Sequence, residues 1–303
     1  MKQISLPAGR YVVAVSGGVD SMVLLDVVRQ MPGVFVVVAH VDHGIRADSH
    51  KDRKLVASVC MSHNVQFEYT ELHLGPGASE EMARTERYKF LRHIKERYTA
   101  DAILTAHHSD DLTETALINL IRGTGWRGLS SLRSINDISR PFLDISKAEI
   151  IAYARKHSIV WREDSTNTNP AYLRNALRLR VLPQASPELL AQLRKIIVRQ
   201  NQLALQIDTE ILLWLQKNAT LTKNTAILPR HHVIMLPQHV AHELFQSVLR
   251  HVSGKSLPRP LVERATLFSK VAKDGKIMPL GNYLQLRVVR REVIVEPREN
   301  VVS

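Results

Sequence analysis

Tyr11-Val12-Val13-Ala14-Val15, then Ser16-Gly17-Gly18-Val19-Asp20-Ser21, then Met22-Val23-Leu24-Leu25-Asp26-Val27-Val28 is the stretch that decides the fold. A short apolar run rich in β-branched residues reads as a buried strand, and the apolar run after the loop reads as a helix. Two glycines between them allow a tight, open turn whose N–H groups can face an anion, with the positive end of the following helix behind them. Ser-Gly-Gly is also an ordinary turn and Asp20 or Ser21 an ordinary helix cap. Placed between a first strand and a first helix, the segment reads better as a phosphate cradle formed by Ser16, Gly17, Gly18, Val19, Asp20 and Ser21. No G-x-x-x-x-G-K-[ST] sequence occurs, and no lysine follows the loop until Lys51. The usual apparatus for splitting off a γ-phosphate is therefore missing.

Outward from the loop, strand-like runs recur at Val34 to Ala39, Val65 to Thr70 and Ala102 to Ala106, with a weaker one at Ile138 to Phe142, and helix-like stretches lie between them. This alternation predicts an α/β fold with a doubly wound, mostly parallel sheet, whose ligands sit beyond the carboxyl ends of the strands. After about residue 185 the pattern changes. Pro187 to Lys217 has no internal Pro or Gly and predicts one long linking helix. Helical stretches near Val240 to His251 and Pro260 to Lys273 follow, and alternation from Tyr283 to Val295 predicts a hairpin around Arg290, Arg291 and Glu292. The expected organisation is a nucleotide-binding catalytic domain over 1–185, a linker helix over 186–217, and a smaller, mainly helical basic domain with a terminal β hairpin over 218–303.

Charge supports the division. Residues 1–170 carry 21 Lys and Arg against 20 Asp and Glu, whereas 171–303 carry 20 against 9. A balanced half joined to a strongly basic one suggests a catalytic domain attached to a surface that attracts a polyanion, nucleic acid first; a basic solubilising surface is the plainer alternative. The one cysteine, Cys60, cannot form an internal disulfide or supply a cluster of cysteine ligands, and it sits in an apolar run expected to be core. A reducing cytoplasm is the expected compartment. No apolar run approaches the roughly 20 residues of a membrane span, and Met1 to Arg10 has no leader-like apolar segment.

After the fourth strand comes Thr105-Ala106-His107-His108-Ser109-Asp110-Asp111-Leu112-Thr113-Glu114-Thr115. A helix starting near Ser109 or Asp110 puts Asp111 and Glu114 on one face, one turn inside it. Beside a phosphate loop, paired carboxylates suit Mg²⁺, which takes few protein oxygens and completes its shell with phosphate and water; alone they would equally complement the helix dipole. His40, His43, His107 and His108 are dispersed over two loops, which argues against zinc. Arg84 and Arg87 read equally as a solvated helix face or as phosphate contacts. Arg174 and Arg178 share a helical face that could meet RNA phosphate, order the active-site loop, or simply be surface.

Ser16-Gly17-Gly18-x-Asp20-Ser21 resembles the pyrophosphate loop of the N-type ATP pyrophosphatases. Several further segments resemble, in order, the bacterial tRNA(Ile)-lysidine synthetase family. They are His40-Val41-Asp42-His43-Gly44-Ile45-Arg46, Ala83-Arg84-x-x-Arg87-Tyr88-x-Phe90-Leu91, the His107 to Thr115 segment with Arg122-Gly123-Thr124-Gly125-x-x-Gly128-Leu129, Arg140-Pro141-Phe142-Leu143, Glu163-Asp164-Ser165-Thr166-Asn167 and Arg174-Asn175-x-x-Arg178. Thr166 stands where many members have serine and keeps the hydroxyl. The resemblance covers residues 11–183 and is fainter over the last hundred, where it implies a short form without a further C-terminal domain.

What the resemblance implies is a PP-loop ligase of tRNA processing. It would use ATP and Mg²⁺ to join free lysine to C2 of the wobble cytidine of tRNA(Ile) with a CAU anticodon, through an adenylated tRNA, giving lysidine, AMP and pyrophosphate. Asp20, Asp111 and Glu114 would be catalytic and hold the metal; the Ser16 to Ser21 loop would hold the pyrophosphate. His40, Arg84, Arg87, His107, Arg174 and Arg178 would contact nucleotide or RNA. No membrane partner is expected, and a homodimer is the assembly left open. The rivals are a tRNA thiolase, which needs more sulfur chemistry than Cys60 offers, a small-molecule synthetase, which leaves the basic half unexplained, and a non-catalytic RNA-binding protein, which would have lost its carboxylates.

Overall fold

A computed structural model describes residues 1–42, 44, 49–72, 80–130, 132–134, 137–163 and 173–298. His43, Ile45, Arg46 and the Asp164 to Asn167 part of the expected motifs lie outside the described residues. The chain divides into two compact units, Met1–Asn201 and Gln202–Ser303.

The first unit is built on β1 (Gly9–Ala14), β2 (Val34–Asp42), β3 (Gln66–Glu71), β4 (Ala102–Leu104) and β5 (Ile138–Ser139), in the order β3-β2-β1-β4-β5. All four pairings are parallel. The helices are α1 (Val19–Arg29), α2 (Ser49–Ser62), α3 (Glu80–Arg97), α4 (Ser109–Ile121), the short α5 (Trp126–Leu129), α6 (Lys147–Lys156) and the short α7 (Leu173–Ala176). Alternation along β1 sorts its side chains between two cores. Tyr11, Val13 and Val15 pack with Leu24 and Leu25 of α1, Val56 and Cys60 of α2 and Ile150 of α6. Val12 faces the other way, against Tyr88, Leu91 and Ile94 of α3. Val12 and Val13 are both fully buried, which is why the strand is apolar throughout rather than alternating; each such valine contributes roughly 1.5–3 kcal/mol of burial. Cys60 lies in this core, and burial pushes its thiol up to about 11, so it stays protonated.

Because β2 and β3 lie on one side of β1 and β4 and β5 on the other, the chain reverses direction between β1 and β4. The crevice beyond their carboxyl ends is the binding position of such sheets. After α7 the chain widens into a π-helical turn, Leu177–Val181, and tightens into a 3₁₀ turn, Leu182–Gln184, before α8 (Pro187–Asn218). The expected long helix is thus present, and its first part packs Ile197 onto Leu112 and Ala116 of α4.

In the second unit, β6 (Thr220–Leu221), β7 (Ala226–Pro229), β8 (Ile277–Pro279), β9 (Leu284–Val289) and β10 (Glu292–Pro297) form an antiparallel sheet in the order β6-β7-β10-β9-β8. The expected hairpin is β9–β10, turning at Arg290, and it is the centre of a larger sheet. With α9 (Arg230–Met235), α10 (Gln238–Ser253) and α11 (Arg259–Val271) the sheet closes a second core. Phe245, Val248, Val262, Leu286, Val288 and Val293 are at its centre. No helix among the described residues is long and apolar enough to cross a membrane.

Candidate active site

The loop after β1 is shaped by hydrogen bonds to its own serines. Ser16 N–H donates to Ser21 Oγ (3.1 Å), and Ser21 Oγ donates to the Gly18 carbonyl (2.9 Å). Gly17 sits at φ +93°, where any other residue would be strained. Gly18 is the N-cap of α1 and offers no side chain to its first-turn N–H groups, so that positive helix end is left for an anion. Ser16, Gly18, Asp20 and Ser21 line a cavity of about 240 Å³ whose far wall carries Thr105, His107 and Asp111 from the end of β4 and the start of α4. Arg87 of α3 closes one side.

The carboxylates are held by a network that spans the unit. His108 caps α4: its Nδ1 accepts from Asp110 N–H (3.3 Å), while its own N–H donates to Asp111 Oδ2 (3.1 Å). An imidazole accepting at Nδ1 carries its proton at Nε2 when neutral. That atom lies 3.4 Å from Asp111 Oδ2 and 3.9 Å from Asp20 Oδ1, so the buried His108 ring stands between the two carboxylates. Burial alone would push the Asp111 carboxyl up, but His108, His107 and the capping N–H outweigh it and hold the group below its usual range. Lys147, at the first position of α6, sets its ammonium 2.7 Å from both oxygens of Asp20.

Glu114 is placed differently. It is buried to 1% exposure and grips the Arg178 guanidinium in a fork of 2.7 and 2.9 Å, with Arg174 Nε 3.7 Å away. That bond raises the affinity of Arg178 for its proton. Arg178 also approaches Asp111 Oδ1 at 3.5 Å. Among the described residues no three His, Cys, Asp or Glu groups are gathered as ligands around one point. Of the three carboxylates expected to share an ion, Asp20 and Asp111 stand on the cavity wall, with Asp20 engaged by Lys147, and Glu114 stands behind Asp111, engaged by Arg178. Two wall carboxylates suit Mg²⁺, which keeps several waters and takes phosphate oxygens for the rest.

His107 is on the cavity wall, with Nδ1 2.9 Å from Thr105 Oγ1. Burial, reinforced by Arg140, Arg87 and Arg84 and opposed by Asp111, pushes its pKa down to about 3, so the ring is neutral at working pH. Arg84, Arg87 and Arg92 crowd the Tyr88 ring at 5.0, 5.3 and 5.8 Å, and the guanidinium of Arg140 is buried nearby. This end of the cavity is strongly cationic. His40 is not on the wall: strand alternation turns it behind the loop, where Nδ1 donates to the Val15 carbonyl (2.8 Å) and burial lowers its pKa.

The histidines carry a stability consequence. An unfolded His107 takes up its proton near pH 6.5, the folded one only near about 3, so between these values the unfolded state binds more protons and stability falls as pH drops. Thermal midpoints measured between about pH 7 and pH 5 are expected to decline, and more gently in His107→Gln. Equal slopes for the two proteins would mean that the folded ring protonates.

Comparison with known proteins decides the family. The PP-loop domain profile matches residues 1–185. The chain belongs to the PP-loop domain family. A tRNA(Ile)-lysidine synthase of Thermotoga maritima is 40% identical over 189 residues, which cover 59% of this chain and 46% of that protein. One of Bacillus subtilis is 34% identical over 210 residues, covering 64% and 44%. The chain thus spans about half the length of the curated relatives it matches. Among solved structures, the U34-tRNA thiolase NcsA from Methanococcus maripaludis with its [4Fe-4S] cluster superposes with a TM-score of 0.54 at 16% identity, over 64% of this chain and 73% of that one; the likeness is one of fold.

Sequence reasoning missed several groups in this PP-loop domain. Lys147 and His108 bracket Asp20, and Arg194 of α8 pairs with Asp110, whose other oxygen accepts from Lys147 N–H (3.1 Å). These groups line a second cavity of about 300 Å³ beside the first, together with Glu114 and Arg178. It is walled by two carboxylates and three cationic side chains, and Leu182 and Leu190 supply apolar surface. The only advance sign of Lys147 was the capping box Ser146-x-x-Glu149, which marks a helix start and so places the next side chain at a sheet's carboxyl edge.

Proposed function

We propose that this protein joins free lysine to C2 of the wobble cytidine of tRNA(Ile) with a CAU anticodon at the expense of ATP, making lysidine. The observation that carries the reading is the opposition of the Ser16 to Ser21 loop and Asp111 across one cavity, in a chain 40% identical over 189 residues to a protein of that name. The loop N–H groups and the α1 N-terminus hold the pyrophosphate part of ATP. The cytidine C2 oxygen attacks the α-phosphate, pyrophosphate leaves, and the lysine ε-amine then displaces AMP from the adenylated tRNA.

Asp20 and Asp111 are the residues that would hold Mg²⁺, which supplies charge neutralisation at the leaving pyrophosphate. Glu114 serves by fixing Arg178 and Arg174 at the cavity edge, where Arg178 can meet developing negative charge. Neutral His107 can donate or accept a hydrogen bond without adding charge, and Arg84 and Arg87 draw phosphate to the cationic end. No protein nucleophile is required, so catalysis is positioning and electrostatics. The mixed-charge second cavity suits a zwitterion with a third charge, as free lysine is: carboxylate toward Arg194 or Arg178, an ammonium group toward Asp110. In this reading residues 1–185 are catalytic, 186–217 link, and 218–303 bind tRNA in the cytoplasm. A homodimer would be seen by light scattering.

The buried, protonated Cys60 speaks against sulfur transfer by this chain. The test is incubation with unmodified tRNA(Ile) transcript, ATP, Mg²⁺ and lysine, followed by mass spectrometry of the digested RNA and chromatography of the nucleotides. Lysidine, AMP and pyrophosphate are expected. ADP and phosphate as principal products, or an unchanged cytidine, would overturn the reading.

A further inference from the structure

Behind the phosphate loop, on the side away from the cavity, lies an ion pair that the chemistry above does not use. Arg162 Nε donates to Asp52 Oδ1 at 2.6 Å, and the Asp52 carboxylate is 7% exposed. Both residues touch Gly17. A methyl group added to Gly17 would meet Asp52 Cβ at 3.2 Å, so the glycine rests directly on that residue. The main-chain N–H of Arg162 donates to the Gly17 carbonyl at 3.0 Å. Arg162 is itself delivered by Ile159 and Trp161, which pack against the core under β1.

We propose that Asp52 and Arg162 are positioning residues for the phosphate-binding N–H of Gly18. A trans peptide points its C=O and N–H in opposite directions. Pinning the Gly17 carbonyl backward to Arg162 therefore turns the Gly18 N–H forward, to the side of Ser16 Oγ and the cavity. There it makes only a long bond of 3.4 Å, readily exchanged for a phosphate oxygen. The Gly17 conformation at φ +93° leaves the peptide free to rotate, and Asp52 beneath it with Arg162 beside it removes that freedom. The Asp52–Arg162 bond holds the two restraints in register, one from the first turn of α2 and one from the segment after α6.

The inference rests on the reading of Ser16 to Ser21 as a phosphate cradle, and the test separates the two. Affinities of Asp52→Asn, Arg162→Met, Arg162→Lys and the double variant Asp52→Asn/Arg162→Met for ATP and for pyrophosphate are measured by calorimetry, with thermal midpoints to confirm folding. Charge alone predicts that Asp52→Asn binds anions more tightly, since a carboxylate near the loop is lost. Positioning predicts the reverse: about tenfold weaker binding of both ligands in Asp52→Asn and in Arg162→Met, as expected for one misdirected charge-assisted hydrogen bond. The double variant is expected to lose no more than either single one, because the restraint acts as a unit. Arg162→Lys is expected to restore part of the affinity. In turnover, KM for ATP rises while kcat at saturating ATP and KM for lysine stay within about threefold, the sign of lost ground-state binding.

Tighter or unchanged binding by folded Asp52→Asn, or losses that add in the double variant, would overturn the proposal. If Asp52→Asn does not fold, unchanged ATP affinity in Arg162→Met does so alone. Gly18→Ala is the control for the cradle: its φ of −75° tolerates alanine, and the methyl meets only Ser16 Oγ, at 3.5 Å, but crowds the phosphate position. Loss of ATP binding in Gly18→Ala with none in the pair variants removes the brace and keeps the cradle; retention of ATP binding in Gly18→Ala removes the cradle itself.

Discussion

Asp111→Ala is expected to lower lysidine formation on the order of a hundredfold or more while leaving tRNA affinity within a few-fold of wild type. The carboxylate faces the cavity beside His107 and lies near His108 as Asp20 does, so in the proposed reaction its charge would act where pyrophosphate departs, and removal of one preorganised group of this kind costs two to three orders of magnitude. It also caps α4 by accepting from His108 N–H, and losing that cap costs about 1 kcal/mol, which a folded domain tolerates. Asp20→Ala is expected to behave alike in rate and to free Lys147. Glu114→Ala separates from both. Its carboxylate is buried against Arg178, so truncation strands a half-buried guanidinium and destabilises the fold by on the order of 3 kcal/mol, a figure reduced by the solvent that reaches Arg178. The Glu114 variant should thus lose thermal midpoint together with rate, and the Asp111 variant rate with little midpoint. Steady-state turnover with calorimetric melting distinguishes these patterns. A near-normal rate in Asp111→Ala would return the residue to the role of a helix cap.

The loop, the five strands and the long helix were legible because each rests on a local signal: β-branched runs, a glycine pair at a strand-to-helix junction, and an uninterrupted amphipathic stretch. β4 is shorter than its apolar run suggests, ending at Leu104: Thr105 N–H still bonds to the Ser139 carbonyl, and Ala106 and His107 then turn into the cavity wall. The short strands β6, β7 and β8 have two to four residues each, too few for alternation to be read. In the site, the spacing of Asp111 and Glu114 placed them on one face correctly but carried nothing about depth. Depth is set by Arg178, 64 residues further on, in a widened helical turn. Lys147 reaches Asp20 across 127 positions and Arg162 reaches Asp52 across 110. Such pairs are products of the parallel crossover connections, which bring loops from every strand to one edge, and no local pattern encodes them.

Weaker tRNA binding with a shallower salt dependence is expected when Lys273, Lys276, Arg290 and Arg291 are together changed to Ala. Part of the excess charge of residues 171–303 is gathered at one corner of the second unit. The α11–β8 loop carries Lys273 and Lys276, the β9–β10 turn carries Arg290 and Arg291, and Arg290 N–H donates to Asp274 Oδ1, which locks loop and turn together. All four side chains are exposed. Asp274 and Glu292 are the nearby acids, so the corner keeps a net positive charge, whereas Arg287 on the sheet is neutralised by Glu296 at 2.9 Å. Cations fixed on a tight turn of a closed sheet lose little freedom on meeting a phosphate backbone, and each phosphate they neutralise releases condensed counterion. If two to four of these side chains contact phosphate, the slope of log affinity against log salt should become shallower by roughly 1.4–3.6, at about 0.7–0.9 per contact, with affinity near physiological salt lower by on the order of tenfold to a hundredfold. ATP binding should be unchanged, since none of the four side chains lines the cavity of the cradle. A merely solubilising surface predicts the same dissociation constant and slope in both proteins but earlier precipitation of the variant. Titration with labelled tRNA at several salt concentrations, beside a solubility measurement, chooses between them: coincident binding curves at every salt would remove the corner from the tRNA interface.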